Sequence, residues 1–559
     1  MIVQTDTMNE YSFIVPYCFL QGNHYANIGI LLTWVKIEFL VNLKKIVLKK
    51  VLTMFKRKSK NNQSDECKKH SFDVDELKDQ LNSELGACSD INFRTLKKDG
   101  KKILFCFLSS LIDKTSLDEF ILLPVQQQKD SMDWTTENLA QILPIAELQA
   151  ANQLNEVVSS LIEGYAYIYI DGEPFGILAN IGTTVERSLE KAETESLVYG
   201  PKISFTESLI GNLNIIRSNL KDKELCMEDI SIGSRVKTPG KIVYIRDIAD
   251  EENVNTFKQR INDLEFDYIP DTTVLGQLIE DNSWTVFPQI MSSELPDRVS
   301  LSLMRGKVAV LMDRSPAAIY GPTPFLSFFE STEDVYMRWN MGMFLRLLRI
   351  IAIFLSVLLT PAYVAVLTYH YEVIPSPLLV SLGQSRANVP FPPVFEALLL
   401  EFVIELLREA GARLPTKVGQ TMGIVGGIVI GQAAVQAGFT SNILIIIIAL
   451  SALGSFTSPS YIMGTAIRMI RFPIILVAGI WGGIGIMLSF CFFLIHLLKL
   501  TSLGSPYFMP VYPFRWRDLG YSIIKFPVQY LSFRPVTNHP VDNSRFKEKK
   551  AMKKKDVDE

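Results

Sequence analysis

The stretch "VPFPPVFEALLLEFVIELLREAGARLPTK" (residues 389–417) is apolar enough to enter a bilayer and yet is charged. Four of its charged residues recur at i, i+4, i+7 and i+8 and so share one face of a helix: Glu401, Glu405, Arg408 and Glu409. An ionised side chain near the bilayer centre costs roughly 2.5–3.5 kcal/mol even on the mild insertion scales. The stretch therefore predicts an amphipathic helix whose charged face contacts water, headgroups or a polar bundle interior.

Apolar residues are unevenly distributed along the chain. The 559 residues are 48% hydrophobic and 21% charged, with a formal net charge of -3, and most long apolar runs follow residue 340. This pattern predicts an α/β cytoplasmic portion of two subdomains, then an α-helical polytopic membrane domain, then a cytoplasmic tail with a basic end. The expected boundaries are 54–195 and 196–340 for the subdomains, 341–498 for the membrane domain and 499–559 for the tail. The near-neutral charge gives no indication of nucleic-acid binding.

The first 53 residues are apolar but do not resemble a signal peptide. They lack a basic n-region and a clear small-residue cleavage site. Two interpretations stay open: residues 1–53 are an extra membrane anchor, or they lie upstream of a true start at Met54. We favour the second, because "MFKRKSKNNQS" has the polar composition of an ordinary cytosolic N-terminus.

Strand and helix patterns alternate in the soluble portion. The runs "KKILFCFLSSLID" (101–113), "YAYIYIDG" (165–172) and "KVAVLMD" (307–313) are β-rich and end at turn residues. Ser204 and Glu207 form an S-x-x-E capping box, which predicts the start of a helix. The alternation predicts an α/β fold.

The soluble portion carries no catalytic or metal-binding signature. It has no P-loop, no G-x-S-x-G elbow and no H-E-x-x-H motif. The chain's 6 cysteines form no C-x-x-C pair and its 5 histidines are dispersed, which argues against a zinc site or a disulfide framework and indicates a reducing compartment. We therefore expect neither an enzyme nor a bound cofactor or metal ion.

Four apolar runs have the length that a membrane-crossing helix needs, about 20 residues. They cover residues 344–370, 418–438, 441–456 and about 472–496. The amphipathic helix predicted in residues 389–417, called the Glu-rich helix below, would give a fifth crossing. The positive-inside rule gives two different counts, because the basic tail favours four crossings and the basic end of the Glu-rich helix favours five. The number of crossings stays open between four and five.

Small residues recur along two of these runs. Glycines are spaced four residues apart at Gly419, Gly423, Gly427 and Gly431, and again at Gly479 and Gly483. Such stripes let helix backbones approach closely in lipid. They predict helix packing, either within one bundle or between subunits around a shared axis. Gln432 and Gln436 add polar groups, one helical turn apart, beside the first stripe.

Several ordered motifs resemble those of a known family. They include "VYGPKISFTESLIGNLNIIRSNL", "FPQIMSSELPDRVSLSLMRGKVAVLMD", "TPAYVAVLTYHYEVIPSPLLVSL", the Glu-rich stretch continued through "VGQTMGIVGGIVIGQAAVQAG", and "GSPYFMPVYPFRWRD". The chain resembles the A subunits of GerA-type spore germinant receptors, a family that includes a stage V sporulation relative. Two positions depart from the family pattern: Leu295 stands where an Arg is usual, and "GPKISF" replaces a "GPREGF"-like run.

The resemblance implies a multi-pass protein of the bacterial spore inner membrane with a cytoplasmic N-terminal domain. Its expected partners are a transporter-like B subunit and a lipoprotein C subunit. The complex would sense nutrients, release monovalent cations and then dipicolinate, and so start germination. Nutrient recognition is expected mainly in the B subunit, with the A subunit coupling recognition to output.

Two hypotheses for that coupling stay open. In the first, the protein forms a homo-oligomer with a gated cation path whose polar face is built from Glu401, Glu405, Arg408, Glu409, Gln432 and Gln436. An acidic lining favours cations in channels. In the second, the protein is a non-conducting membrane scaffold or an accessory subunit of the dipicolinate-release machinery. A solute transporter is less compatible with the sequence, which lacks paired broken helices in a two-fold repeat.

Overall fold

The computed structural model describes residues 73–547 with several gaps. The gaps are residues 87, 129–132, 184–191, 193–194, 196, 198, 415–426, 428 and 430. The predictions for residues 1–53, the start at Met54, Gly419 and Gly423 therefore lie outside the described residues. The same is true of most of the predicted span at 418–438 and of the end of the basic tail.

The first α/β unit has one five-stranded sheet in the order β1-β2-β4-β5-β3, in which all neighbouring strands are antiparallel. Its strands are β1 (Ile91–Lys98), β2 (Lys101–Leu108), β3 (Leu148–Ala151), β4 (Tyr165–Ile170) and β5 (Gly176–Asn180). Its helices are α1 (Val74–Glu84), α2 (114–127, with a π-helical turn at Leu117–Leu122), α3 (Thr136–Ile142) and α4 (Leu154–Ile162).

Helices cover both faces of this sheet. Leu104 and Cys106 of β2 pack with α1 and α4, whereas Ile103 and Phe105 pack with α2 and α3. Successive side chains of a strand point to opposite faces, so a strand buried on both sides is a continuous apolar run. This explains why the unbroken hydrophobic runs of β2 and β4 correctly predicted strands.

The second α/β unit repeats the same topology. Its sheet has the order β6-β7-β9-β10-β8, again antiparallel, which is the order of the first sheet shifted by five strands. The strands are β6 (Leu225–Ile232), β7 (Thr238–Ile245), β8 (Met291–Ser293), β9 (Val308–Met312) and β10 (Ala318–Gly321). The helices are α5 (Leu209–Asn219), α6 (Glu251–Asn262), α7 (Thr272–Ile279) and α8 (Pro296–Leu303). The boundaries at residues 195 and 340 stay predictions.

The predicted capping box is wrong. Helix α5 begins at Leu209, and its N-cap is Ser208, whose hydroxyl accepts from the Gly211 amide at 3.3 Å. Phe205, next to Ser204, instead donates its amide to the Glu294 carbonyl at 2.8 Å. The segment before α5 is therefore held by the second sheet's β8–α8 loop, a tertiary contact that overrides the local capping signal.

A helical region follows the second unit. Its helices are α9 (Glu333–Tyr336), α10 (Trp339–Tyr369), α11 (Ser376–Arg386), α12 (Pro393–Arg413), α13 (Gly431–Gln436), α14 (Asn442–Ser455) and α15 (Tyr461–Lys499). Of these, α10 and α15 are long and apolar enough to cross a membrane, whereas α14 has 14 residues. The number of crossings stays a prediction.

Helix α15 differs from the predicted fourth span in two respects. It begins at Tyr461 rather than near Phe472, because the Ser460 hydroxyl caps it by accepting from the Met463 amide at 3.4 Å. It is also broken at Gly482, where a φ of 61° and ψ of -138° interrupt the helical backbone. A residue with a side chain rarely adopts this positive φ, so glycine is required at the break.

The glycines of α15 allow close helix packing. A Cβ at Gly479 would lie 2.1 Å from the Val394 side chain of α12, and one at Gly483 would lie 3.2 Å from the His370 ring. By contrast, a Cβ at Gly427 or Gly431 would meet no described atom within 4 Å. The second stripe thus packs within the chain, and the described part of the first stripe has open space beside it.

The tail after α15 returns to the second α/β unit. It forms the short strands β11 (Thr501–Ser502) and β12 (Ser505–Pro506) and helix α16 (Leu519–Ser522). The backbone amides of Leu503 and Gly504 each donate to the Asp281 carboxylate at 3.1 Å. Tyr507 is fully buried in the same hydrophobic core as Leu311 of β9. The tail is therefore part of the folded structure.

Candidate functional site

An ion pair between Glu401 and Arg471 lies at the centre of the helical region. The carboxylate of α12 and the guanidinium of α15 are 2.6 Å apart, and the two side chains are 1% and 2% exposed. Thr360 of α10 donates to the same carboxylate at 2.9 Å, and Arg471 donates to the Ser356 hydroxyl at 2.7 Å. The pair therefore joins three helices, and each charge is compensated where water is excluded.

One helical turn further along α12, Glu405 contacts two arginines. Its carboxylate lies 3.2 Å from Arg408 and 3.4 Å from Arg468 of α15. Arg408 also donates to the Ser455 hydroxyl at 3.1 Å and stacks over the Phe456 ring at 4.4 Å. Glu405 is 29% exposed, so this cluster is less enclosed than the Glu401 pair.

Near the start of α12, Glu396 is a second fully buried carboxylate. It lies 2.6 Å from Arg386 of α11. It also accepts from the Thr440 hydroxyl at 3.0 Å and from the Ser441 amide at 2.6 Å, just before α14. Glu396 thus holds α11 and α14 against α12.

The charged face of α12 points into the protein. Glu401, Glu405 and Arg408 contact other helices, whereas residues on the outer side of α12 are more than half exposed: Phe395, Phe402 and Leu406. A helix in water has the reverse arrangement, with its apolar stripe facing the core. In α12 this arrangement is inverted, with the charged residues inside and the apolar residues exposed.

The other predicted polar residues do not join this cluster. Glu409 is 59% exposed and pairs with Arg413 at 2.5 Å on the same helix. Gln432 and Gln436 lie exposed on α13. The structure therefore brings together three of the six residues of the predicted polar face.

The sequence analysis missed the partners of these carboxylates. Arg468 and Arg471 lie inside α15 and are 8% and 2% exposed. Their spacing of three residues, which places both on one helix face, was the available signal. Arg346 and Arg349 of α10 form a further buried contact, since both bind Asp334 at 3.2 Å.

The cluster is not acidic overall. The guanidiniums of Arg408, Arg468 and Arg471 outnumber the carboxylates of Glu401 and Glu405, which gives this group a formal charge of +1. Within residues 73–547 as described, no group of three or more His, Cys, Asp or Glu side chains could hold a metal ion. The chemistry that the cluster offers is ion pairing.

A model of the Bacillus/Clostridium GerA spore germination protein family matches residues 79–537. This chain belongs to the GerA family. It is 43% identical to spore germination protein GerQA of Bacillus cereus, covering 83% of this chain and 93% of the relative. It is 37% identical to spore germination protein A1 of Bacillus subtilis, covering 77% and 89%, and 34% identical to protein B1 of that species, covering 84% and 97%.

One solved structure is also similar to part of this GerA-family chain. It is the crystal structure of the N-terminal domain of the A subunit of the Bacillus megaterium spore germinant receptor GerK3. The match has 23% identity and a TM-score of 0.37, and it covers 46% of this chain and 98% of that domain.

The buried ion pair predicts a clear stability effect. Arg471→Met leaves the Glu401 carboxylate buried without its partner, so it should destabilise the helical region by about 3–5 kcal/mol. The double variant Glu401→Gln/Arg471→Met removes both charges and should recover most of this loss. Thermal unfolding of the detergent-solubilised chain measures both.

Arg413→Met is the matched control, because the Arg413–Glu409 pair is exposed, and its unfolding midpoint should equal that of the unmodified chain. Equal midpoints for Arg471→Met and Arg413→Met would show that the Glu401 pair is not enclosed as described.

Proposed function

We propose that this protein is the A subunit of a nutrient germinant receptor in the spore inner membrane. It couples nutrient recognition to ion release and germination, together with a transporter-like B subunit and a lipoprotein C subunit. The membership in the GerA family and the names of the relatives as spore germination proteins support this proposal. In this arrangement α10 crosses the membrane, α15 enters it and turns back at Gly482 so that both of its ends reach the cytoplasmic side, and the two α/β units lie in the cytoplasm.

The observation that carries the coupling role is a hydrophobic core shared by the second α/β unit and α15. Met463 and Ile467, near the start of α15, and Leu497, near its end, belong to the same buried cluster as Met291 of β8 and Leu311 of β9. Close-packed interiors transmit displacements because they do not deform continuously. A shift of the α/β unit therefore moves both ends of α15.

The ion path of this proposal runs along α12, past the partly exposed Glu405, to a surface shared with a neighbouring copy of the chain. The observed ion pairs represent its closed state, in which the arginines of α15 neutralise Glu401 and Glu405. A movement of α15 would withdraw Arg468 from Glu405 and expose the carboxylate to the path. Glu409, Gln432 and Gln436, which are exposed, would line the path beside a neighbouring copy. The open space beside Gly427 and Gly431 would admit a helix of that copy.

One observation favours a second candidate function. The formal charge of +1 in the Glu401–Glu405 cluster does not attract cations. A non-conducting scaffold, or an accessory subunit for release of the dipicolinate anion, is compatible with this charge. The two candidates differ in whether the purified oligomer passes monovalent cations.

The role in germination predicts a selective defect in spores that lack this gene. One nutrient class should fail to trigger both potassium release and dipicolinate release, while other nutrients keep both signals. The measurement follows the two released species after each nutrient in a panel. If every nutrient still triggers potassium release and only dipicolinate release slows, the receptor role is wrong and the accessory role is correct.

The ion path predicts a specific effect of Glu405→Gln. The substitution leaves Arg408 and Arg468 facing each other without the carboxylate, so the local positive charge should lower potassium flux by tenfold or more. Flux is measured in liposomes containing the purified receptor complex, and potassium release is measured in spores.

Glu409→Gln is the matched control, because that carboxylate is exposed and lies outside the cluster; it should reduce flux by less than twofold. Normal conduction and germination by a stably inserted Glu405→Gln protein would rule out this path and leave the scaffold.

A further inference from the structure

Two cysteines meet where the first α/β unit contacts the second. Cys88 lies between α1 and β1, and Cys226 lies on β6, the edge strand of the second sheet. Their sulfur atoms are 2.9 Å apart, and 138 residues separate them along the chain. Both are free thiols, 6% and 2% exposed. A disulfide has an S–S distance of about 2.05 Å, so the sulfurs need to approach by less than about 1 Å to bond.

The residues beside the two cysteines hold the sulfurs in this position. Ser89 donates to the Met227 carbonyl at 2.5 Å, which places the segment containing Cys88 along the free edge of β6. The next residue, Asp90, forms a buried ion pair with Arg217 of α5 at 3.0 Å. This pair also holds the Cys88 segment against the second unit. These two contacts hold the segment containing Cys88 against β6, and this keeps the two thiols adjacent.

The electrostatic surroundings make Cys88 the reactive member of the pair. The hydrogen bond between the Cys88 and Cys226 thiols lowers the pKa of Cys88 to about 7, which burial opposes. The Met227 amide and the Arg217 guanidinium also lower this pKa, and Asp90 raises it. The pKa of Cys226 is raised, chiefly by the same hydrogen bond and then by burial. The pKa of Cys88 is therefore the lower of the two.

We propose that Cys88 and Cys226 form a reversible disulfide that covalently joins the two α/β units when a low-molecular-weight disulfide is present as oxidant. In the first step the Cys88 thiolate attacks the oxidant, forms a mixed disulfide and releases one thiolate. In the second step the Cys226 sulfur attacks the Cys88 sulfur and releases the second thiolate, which takes up the Cys226 proton. Two protein thiols are oxidised, and the oxidant is reduced to two small thiols.

This modification goes beyond the proposed germination role and does not depend on it. The disulfide closes a loop of 138 residues and fastens the edge of β6 to the first unit. Such a crosslink restricts the unfolded chain strongly, because the loop is long. It also removes the freedom of the two units to separate at their junction.

The test treats the purified full chain in detergent with oxidised glutathione and then blocks the remaining thiols with N-ethylmaleimide. Peptide mapping without reductant should identify a Cys88–Cys226 crosslink that dithiothreitol reverses. The crosslinked protein should unfold at a temperature higher by about 5 °C or more. Because Cys88 reacts as the thiolate, the initial rate should rise about tenfold from pH 6 to pH 8.

Two variants separate the two steps of the reaction. Cys226→Ser should stop at a mixed disulfide between Cys88 and glutathione. Cys106→Ser is the matched control: Cys106 is buried within β2, and burial raises its pKa, so its loss should leave the crosslink unchanged. If a variant does not fold, formation of the Cys88–Cys226 crosslink in the unmodified chain still tests the proposal. Absence of the crosslink, or pairing of Cys88 with another cysteine, would overturn the proposal.

Discussion

The carboxylate of Asp334 connects the main parts of this protein. It is 1% exposed and lies 3.2 Å from both Arg346 and Arg349 in the first turns of α10. Its backbone carbonyl accepts from the Lys525 amine of the tail. Without Asp334, two guanidiniums would be enclosed without an anion, at a cost of several kcal/mol. The direction in which α10 leaves the α/β portion depends on this charge, and the tail contacts the same residue through its backbone carbonyl.

The sequence predicted those strands and helices whose residue pattern is visible within a single segment. Strands β2, β4 and β9 were predicted because burial on both faces requires continuous apolar runs, and such runs are visible in a single segment. The capping box at Ser204 was wrong because Phe205 pairs with a carbonyl 89 residues away along the chain. The repeated strand order of the two sheets was also missed, since it depends on which strands become neighbours and leaves no obvious trace in the residues.

The sequence predicted the residues of the candidate site that lie on one helix, but not their partners on other helices. Helical spacing alone placed Glu401, Glu405 and Arg408 on one face, and the structure has all three on the inner face of α12. Their partners were missed because Arg471 is 70 residues from Glu401, and a basic residue near an apolar run is normally interpreted as a flanking charge. The pairing explains how charged residues are tolerated here: each meets an opposite charge from another helix.

The second α/β unit and the long helices are joined at Asp334 and in the shared core, so a displacement of one reaches the other. The most direct measurement is hydrogen exchange of the purified full chain, comparing Asp334→Asn with Asp263→Asn, an exposed residue of the second unit. A neutral amide cannot pair with two guanidiniums, so Asp334→Asn should raise amide exchange in the first turns of α10 and around α16 by tenfold or more, while Asp263→Asn leaves both unchanged. Equal exchange in the two variants would contradict the account.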